Sequence, residues 1–315
     1  MNIPDLRQLA HDARSMREAG ITLLLASGIL ALFIFIPTIS KQTVSAPITI
    51  ETSTLPNAFA DVPLEAKAAV VYDLITGEML YAKNADAQLP LASLTKLLTV
   101  YAALAVLSPD TPITIPENIS SVEGPHTFNV GQTLSLSDLA RLTLTASLND
   151  GAAAIASAVA ERENRSQTEM LAGAAAALNL SQTYAVNGSG LDVNAAISGG
   201  YGSAQDLARL AGVLVEQHSS IAAATTQSFA EAVSEGGTSF KVKNTDPIVG
   251  TVPRLLLSKT GFTDLAGGNL ALVFDVGIGH PVAVVVLGSS LKARFTDGAA
   301  LVYATFAHFA SVASL

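Results

Sequence analysis

Three short segments of the chain carry side chains that could act together as a nucleophilic site. The first is Ser93-Leu94-Thr95-Lys96, which precedes an apolar stretch with helical spacing. Three residues apart on a helix, Ser93 and Lys96 face the same side within reach of each other. A serine becomes a nucleophile when a base takes its proton, and a lysine can be that base if burial and a second cation depress its pKa. Alone, the pattern also fits a helix cap followed by a surface lysine, and Ser289-Ser290-Leu291-Lys292 repeats the spacing without predicting chemistry.

The second segment, Ser147-Leu148-Asn149, lies where one predicted helix ends and the next begins. A turn there can project a hydroxyl and a carboxamide into a cleft. The hydroxyl can relay a proton, and the amide can hold a peptide backbone. Ser and Asn are also common helix caps, so this segment alone does not predict a site. The neighbouring Asp150 is interpreted as a structural cap rather than a catalytic acid.

The third segment is Lys259-Thr260-Gly261, followed by Phe262 and Thr263, at the end of the apolar run RLLLS. A strand edge beside a glycine allows a peptide to approach and pair with main-chain groups. Lys259 and the two threonines offer hydrogen-bond donors to a carboxylate. In isolation, this segment is also what a strand ending in a turn would look like.

The surrounding pattern predicts strands at both ends of the folded part and helices between them. A β-hairpin is expected near Ile75-Thr76-Gly77, and apolar β-branched runs return after Thr238. Helical spacing with Ala-rich faces occurs between these regions, and a last helix is predicted from Ala293. The pattern predicts an α+β fold, in which one sheet assembled from both ends of the chain packs on helices. The predicted helices start near Ser93, Ser135, Gly151, Met170 and Ser203.

In this order, on helix, turn and strand, the three segments resemble the active-site pattern of serine penicillin-binding proteins and β-lactamases. Longer stretches narrow the resemblance to the D-alanyl-D-alanine carboxypeptidase family, the low-molecular-mass penicillin-binding proteins of serine peptidase family S11. It extends over roughly residues 65–290 and implies a β-lactamase/transpeptidase-like fold with an antiparallel sheet and an all-helical lobe. The stretches are PLASLTKLLT from Pro90, SLND from Ser147 and KTGFTDLAGGNL from Lys259, with support from GQTLSLSDLARLTLTASLND and AAALNLSQTYAVNGSGLD.

The resemblance also implies a role for each matching residue. Ser93 would attack the carbonyl between two D-alanines of a peptidoglycan stem peptide, and Lys96 would take its proton. Ser147 would pass a proton to the leaving D-alanine, under the electrostatic influence of Lys259. Asn149, Thr260, Gly261, Phe262 and Thr263 would bind substrate. Asn149 would orient the acyl peptide, the threonines would hold the terminal carboxylate, and the backbone amides of Ser93 and Phe262 would form the oxyanion hole. β-Lactam antibiotics would acylate Ser93.

Two departures from the family pattern bear on substrate preference. Gln205 stands where relatives often have Arg, and Asn244-Thr245-Asp246 replaces a more usual Asn-Thr-Asn. A D-alanyl-D-alanine endopeptidase that cuts peptidoglycan crosslinks uses the same chemistry and is the main alternative. A β-lactamase is less favoured, because the stretch SQTYAVNGSGLD lacks the glutamate that class A enzymes use for deacylation. A non-catalytic wall-binding protein is less favoured because every expected catalytic side chain is present.

The N-terminal region predicts a membrane anchor. Residues 20–39 carry no charge and approach the ~20 apolar residues that span a bilayer. Three arginines, Arg7, Arg14 and Arg17, precede this segment, which places the N-terminus in the cytoplasm. A cleaved signal ending at Val44-Ser45-Ala46 and a buried soluble helix are the less favoured alternatives. The predicted organisation is a cytoplasmic 1–19, a transmembrane 20–39, a linker 40–65 and an extracytoplasmic peptidase domain 66–315.

The composition argues against other classes of function. The net charge is −9, and the 17 Lys and Arg residues form no basic run, which argues against nucleic-acid binding. The chain lacks cysteine, so disulfides and thiolate chemistry are excluded. Its five histidines lack ligand spacing, and no Gly-rich phosphate loop is present, so neither a metal nor another cofactor is expected.

Overall fold

The chain forms two units, residues 1–54 and 55–315. The computed structural model describes residues 14, 16–18, 21, 24, 57–277 and 279–312. In the first unit the described residues are helical, and Arg14 pairs with Glu18 at 3.8 Å. The predicted anchor, residues 20–39, lies outside the described residues except for Ile21 and Leu24. Among the helices that the structure describes, none combines the length and the apolar character needed to cross a bilayer.

The second unit contains the strands and helices that position the three segments. Its strands are β1 (Ala68–Asp73), β2 (Met79–Lys83), β3 (Leu89–Pro90), β4 (Pro112–Thr114), β5 (Thr133–Ser135), β6 (Tyr184–Ala185), β7 (Gly200–Gly202), β8 (Phe229–Val233), β9 (Ser239–Lys243), β10 (Leu255–Thr263), β11 (Gly267–Asp275) and β12 (Pro281–Ser289). Its α-helices are α1 (Thr95–Val106), α2 (Leu136–Ala146), α3 (Asn149–Glu163), α4 (Gln167–Ala177), α5 (Ala204–Gln217), α6 (Ser219–Ala224) and α7 (Ala293–Val312). Short 3-10 helices cover Ala92–Leu94 and Glu117–Ser121.

A five-stranded antiparallel sheet with the order β10-β11-β12-β1-β2 forms the centre of the second unit. Strand β1 pairs with β12, so the sheet is assembled from both ends of the chain, as the sequence predicts. Strands β11 and β12 are apolar and buried on both faces, with α5 on one face and α7 on the other. Because side chains alternate across a strand, Val285 joins the core on the α5 side while Val284 and Val286 join the core on the α7 side.

The helices between the two sets of strands form a lobe around α1. Nine of the twelve residues of α1 are buried, and α1 packs against α3 and α4. Alanines at these contacts let the helices approach closely, which explains the small-residue faces in the sequence. Three smaller sheets, β4-β5, β3-β7-β6 and β8-β9, border this lobe. The sequence pattern predicted none of these three sheets.

Residues 57–65, the last part of the predicted linker, pack on the folded unit. Phe59 is 5% exposed and contacts the rings of Tyr81 and His308. The backbone N–H groups of Glu65 and Ala66 donate to the Asp297 carboxylate at 3.2 and 2.9 Å. The packed region therefore begins several residues before position 66, where the sequence analysis placed the start of the domain. The difference arises because isolated apolar residues such as Phe59 show no periodicity.

Candidate active site

Ser93 and Lys96 meet at the start of α1, as their spacing predicts. Ser93 lies in the short 3-10 helix, and Lys96 lies in the first turn of α1 with no exposed surface. Lys96 Nζ donates to Ser93 Oγ at 2.7 Å, to Asn149 Oδ1 at 2.8 Å and to the Ser189 carbonyl at 2.8 Å. The three bonds use all three N–H donors of an ammonium group. Once deprotonated, the amine keeps two donors, and its lone pair can accept the hydroxyl proton of Ser93.

Burial makes the charged form of Lys96 costly. Its pKa falls from the ordinary lysine value to about 7 because of this burial, and the Asp150 carboxylate opposes the shift. A substantial fraction of Lys96 is therefore neutral near pH 7. Asp150 is itself 1% exposed, and its carboxylate accepts the backbone N–H groups of Thr127 and Phe128. Asp150 thus anchors a facing loop from within the first turn of α3, whose N-cap is Leu148, so the cap predicted for Asp150 from the sequence is wrong.

Ser147 and Lys259 form a second serine–lysine pair. Ser147 ends α2 in the left-handed conformation, with φ 58° and ψ 39°. Lys259 Nζ donates to Ser147 Oγ at 2.9 Å and to the Thr260 carbonyl at 2.6 Å. Burial lowers the pKa of Lys259 well below its ordinary value. The charges of Lys96 and Arg294 act in the same direction, and Asp246 opposes them.

Asn149 lies between the two serine–lysine pairs. It follows Ser147 by two residues in the chain, and its Oδ1 accepts a hydrogen bond from Lys96 Nζ. Its amide nitrogen donates to the Glu123 carbonyl at 3.1 Å. These two bonds fix which atom of the carboxamide faces the lysine. One N–H of the amide remains for another acceptor.

Strand β10 forms one edge of the sheet and runs directly beside Ser93. A Cβ at Gly261 would lie 2.9 Å from the Leu91 carbonyl oxygen and 3.2 Å from the Ser93 nitrogen, so this position has room only for glycine. The close approach places the main chain of β10 against the nucleophile. The outer edge of β10 has no neighbouring strand in this sheet. Ser258 N–H and the Thr260 carbonyl are already bonded to the Thr225 hydroxyl and Lys259 Nζ, so the edge near Phe262 is the part that can pair with a peptide. The Phe262 side chain is 45% exposed beside this edge.

The two threonines of the third segment have protein partners. Thr260 Oγ1 lies 2.6 Å from Thr245 Oγ1. Thr263 Oγ1 donates to Asp192 at 3.0 Å and accepts from the Ala266 amide at 3.2 Å. Their hydroxyls are thus held in place from outside the cleft. Whether each one contacts a substrate carboxylate stays a prediction.

Sequence reasoning missed several residues that hold the site together. Arg294, at the start of α7, donates from Nη1 to the Gly261 carbonyl. Asp246, one of the two departures from the family pattern, accepts from Ser258 Oγ at 2.6 Å, and burial raises its pKa. Asp192 lies within the quoted stretch ending in GSGLD, but nothing in that stretch links it to Thr263. No local motif marks Arg294.

Comparisons with known proteins agree with this geometry. The sequence profile of the D-alanyl-D-alanine carboxypeptidase family of S11 peptidases matches residues 54–290. A D-alanyl-D-alanine endopeptidase of Pseudomonas aeruginosa is 31% identical over 260 residues, which cover 79% of this chain and 81% of the relative. A D-alanyl-D-alanine carboxypeptidase of Bacillus subtilis is 28% identical over 237 residues, which cover 73% of this chain and 59% of the relative.

A solved structure shares the fold. Penicillin-binding protein D2 of Listeria monocytogenes, determined in its ampicillin-bound form, superposes with a TM-score of 0.66 at 28% sequence identity. The match covers 78% of this chain and 99% of the Listeria chain. The family match over residues 54–290 includes all three segments.

Proposed function

Because the chain belongs to the D-alanyl-D-alanine carboxypeptidase family of serine peptidases, we propose that Ser93 is its nucleophile and Lys96 its general base. The chain is a serine-type D-Ala-D-Ala carboxypeptidase. The observation that carries the assignment is the buried contact of 2.7 Å between Lys96 Nζ and Ser93 Oγ, together with a lysine pKa of about 7. Neutral Lys96 takes the Ser93 proton while the serine oxygen attacks the carbonyl carbon between two D-alanines at the end of a peptidoglycan stem peptide.

The second serine–lysine pair, Ser147 and Lys259, supplies the proton that the leaving group needs. As the C–N bond breaks, the amine of the departing D-alanine takes a proton from Ser147, whose hydroxyl lies 2.9 Å from Lys259 Nζ. The acyl group is then attached to Ser93 by an ester bond. Water attacks this ester, releases the shortened peptide and restores the serine hydroxyl.

The remaining predicted site residues position the peptide. The outer edge of β10 next to Gly261, at Phe262, pairs with the substrate backbone, and the Asn149 carboxamide holds the acyl part. The amides of Ser93 and Phe262 stabilise the oxyanion, a contribution of typically ~3–4 kcal/mol. Thr260 and Thr263 recognise the terminal carboxylate, for which Thr263 turns its single hydroxyl proton from Asp192 to the substrate. The approach of Gly261 to Ser93 supports this arrangement.

β-Lactam antibiotics mimic the acyl-D-alanine end of the substrate and acylate Ser93. The similarity to a penicillin-binding protein in an ampicillin-bound form supports this part of the proposal. Since the ester formed with a β-lactam retains a bulky group where water must enter, it is expected to persist.

Cleavage of peptidoglycan crosslinks is the second candidate activity. The specific observation that favours it is the 31% identity to the Pseudomonas aeruginosa endopeptidase. The chemistry at Ser93 is the same, and only the leaving group differs.

The domain is further proposed to work outside the cytoplasm, attached to the membrane through residues 20–39. The apolar, uncharged sequence of this segment and the arginines before it support this location. Extraction of cell membranes with alkaline carbonate tests it, because an integral anchor keeps the chain in the pellet. Release into the supernatant would contradict the anchor.

The decisive experiment compares the full-length chain with its Ser93→Ala variant. Wild type should be labelled stably by a fluorescent penicillin and should release D-alanine from a pentapeptide stem. Ser93→Ala should do neither while keeping its fold, as checked by circular dichroism. Labelling of Ser93→Ala, or the absence of labelling in a folded wild type, would contradict the assignment.

A further inference from the structure

Asp246 is a buried carboxylate that the proposed mechanism does not use. It is 2% exposed and lies in the loop that follows β9. Its Oδ2 accepts from Ser258 Oγ at 2.6 Å, and its Oδ1 accepts from the Ile248 amide at 2.9 Å. The bond to Ser258 fixes the carboxylate to β10, one position before Lys259 in the chain.

These two hydrogen bonds do not by themselves need a charged side chain. An asparagine, which the family pattern usually has at this position, can accept from the Ile248 amide with its oxygen and donate to Ser258 Oγ with its nitrogen. A buried charge, by contrast, is costly unless other charges compensate it. The negative charge of Asp246 is therefore not required by its local hydrogen bonds.

Two buried cations compensate the charge of Asp246. Lys259 is 1% exposed and Arg294 is 8% exposed, and neither forms a direct ion pair in the part of the chain that the structure describes. Burial lowers the pKa of both side chains, and the carboxylate of Asp246 opposes this shift in each. Burial raises the pKa of Asp246, while its hydrogen bonds and the two cations lower it. The three charges therefore stabilise one another.

The two lysines of the site need opposite protonation states. Lys96 must be neutral to take the Ser93 proton. Lys259 Nζ donates to Ser147 Oγ at 2.9 Å, and as a cation it stabilises the negative charge that develops on this oxygen when its proton leaves. Both lysines are fully buried, so burial favours the neutral form of each. Neighbouring charges must therefore distinguish them.

The charges around Lys259 act in both directions. Lys96 on α1 and Arg294 on α7 favour its neutral form, and Asp246 favours its charged form. When Lys96 loses its proton, near pH 7, one of the two opposing charges disappears. Two further lysines line the cavity beside Asp246 but are exposed, so solvent screens their charges: Lys243 and Lys292.

We propose that Asp246 is a positioning residue for the proton-donor pair, because its charge keeps Lys259 protonated while Lys96 is neutral. The inference rests on the proposed function, since it assigns the protonation state of a group in the same reaction. It adds no step to that reaction. No bond forms or breaks at Asp246 or Lys259, and the proton given to the leaving amine still comes from Ser147.

The test is the pH dependence of penicillin labelling in the full-length chain and in two matched variants. Asp246→Asn removes the charge and keeps groups that can make both hydrogen bonds. Asp206→Asn is the control, because Asp206 is also buried but is not among the charges that act on either lysine. One oxygen of Asp206 accepts from the Gln182 amide and the Thr183 hydroxyl, and the asparagine oxygen can take its place.

The wild-type rate should rise through about pH 7, level off, and then fall at the higher pH at which Lys259 loses its proton. In Asp246→Asn the fall should begin about one pH unit lower, because a nearby carboxylate favours the charged lysine. The rise near pH 7 should stay in place, since Asp246 is not among the charges that act on Lys96. Asp206→Asn should match wild type throughout. Rates are measured from pH 6 to about 10, with circular dichroism at each pH.

Arg294→Gln provides a test of opposite sign. Glutamine can still donate to the Gly261 carbonyl, but the cation that disfavours charged Lys259 is gone, so the fall should move to higher pH. The double variant Asp246→Asn/Arg294→Gln loses both charges, and its fall should return toward the wild-type pH. This comparison also tests Asp246 if Asp246→Asn alone does not fold.

The failures can be told apart. A fall that stays in place when Asp246 is replaced, or an equal loss of rate at every pH, would overturn this inference and leave the proposed function intact. So would a wild-type rate that shows no fall while the chain remains folded. The absence of labelling in a folded wild type at every pH would overturn the proposed function itself.

Discussion

Lys259 Nζ lies 2.9 Å from Ser147 Oγ, and this contact repeats the 2.7 Å contact between Lys96 Nζ and Ser93 Oγ. The site therefore holds two serine–lysine pairs in which both lysines are fully buried. Burial lowers the pKa of both lysines, and the charge of Lys96 lowers the pKa of Lys259 further. This arrangement lets one lysine act as a base while the other supports the proton donor.

The rate of acylation should rise with pH through about 7, the pKa of Lys96. Below this pH the lysine is protonated and cannot accept the Ser93 proton, so the rate should fall about tenfold per pH unit. Above it, the rate should level off. The measurement is the second-order rate of penicillin labelling between pH 5 and 9, with the fold checked at each pH. A rate that falls as pH rises through 7 would contradict a neutral Lys96.

Asp150→Asn should shift this pH profile toward lower pH. The Asp150 carboxylate raises the pKa of Lys96, so removing its charge favours the neutral lysine. Asparagine keeps one oxygen that can accept the hydrogen bonds from the backbone N–H groups of Thr127 and Phe128. Asp138→Asn is the control, because that carboxylate pairs with Arg141 instead. A profile that stays in place in Asp150→Asn would show that the carboxylate does not act on the base.

Ser147→Gly should be more stable than Ser147→Ala, although both remove the proposed proton donor. Ser147 has φ 58°, a conformation that glycine adopts freely and that costs other residues about 1 kcal/mol. Both variants should lose about 10²–10⁴-fold in turnover of a pentapeptide stem. Urea unfolding of the two variants gives the comparison. Equal stabilities would contradict a strained Ser147, and full turnover by either variant would remove Ser147 from the mechanism.

Gly261→Ala should slow acylation strongly. The added Cβ would meet the Leu91 carbonyl oxygen at 2.9 Å and the Ser93 nitrogen at 3.2 Å, so β10 must move away from the nucleophile. A displacement of this kind can cost about 10²-fold in rate. Gly277→Ala is the matched control, because a Cβ there has no atom within 4 Å. Penicillin labelling rates of the two variants test the prediction, which fails if both variants react at the wild-type rate.

Asp192→Ala should lower the KM for a D-alanine-terminated peptide more than it changes kcat. Asp192 accepts the single hydroxyl proton of Thr263 at 3.0 Å and the Leu265 amide N–H at 3.3 Å, so its loss frees that proton for the substrate carboxylate and removes a neighbouring negative charge. Each lost hydrogen bond should also cost about 1 kcal/mol of stability. Asp192→Asn, which keeps one acceptor oxygen, should show smaller changes in both quantities. An unchanged KM in Asp192→Ala, with reduced stability, would assign Thr263 a purely structural role.

The sequence predicted those parts of the site that depend on local spacing. Ser93 and Lys96 are three residues apart on a helix, so their contact follows from helix geometry. Apolar strands at both ends of the chain predicted one sheet assembled from both ends, and the pairing of β1 with β12 confirms it. The contact between Arg294 and Gly261 was not predictable, because it joins the start of α7 to an edge strand and depends on how the helix lies across the sheet.

Elements that are held by partners distant in sequence were also not predictable from local patterns. The β8–β9 hairpin was missed because the region before it reads as helical and its strands pair only with each other. Thr263 was predicted as a donor to substrate from its type alone. Its bond to Asp192 depends on a loop that is 71 positions away. Such partners are fixed by tertiary packing, which no short window of sequence encodes.

The pairing of β1 with β12 has a consequence for biogenesis. The central sheet cannot close until the last strand has left the ribosome, and contacts between distant parts of a chain form slowly. Strand β1 therefore lacks its β12 partner for most of the synthesis of the chain. Closure of the central sheet is therefore expected to be a late step of folding, after synthesis of the chain is nearly complete.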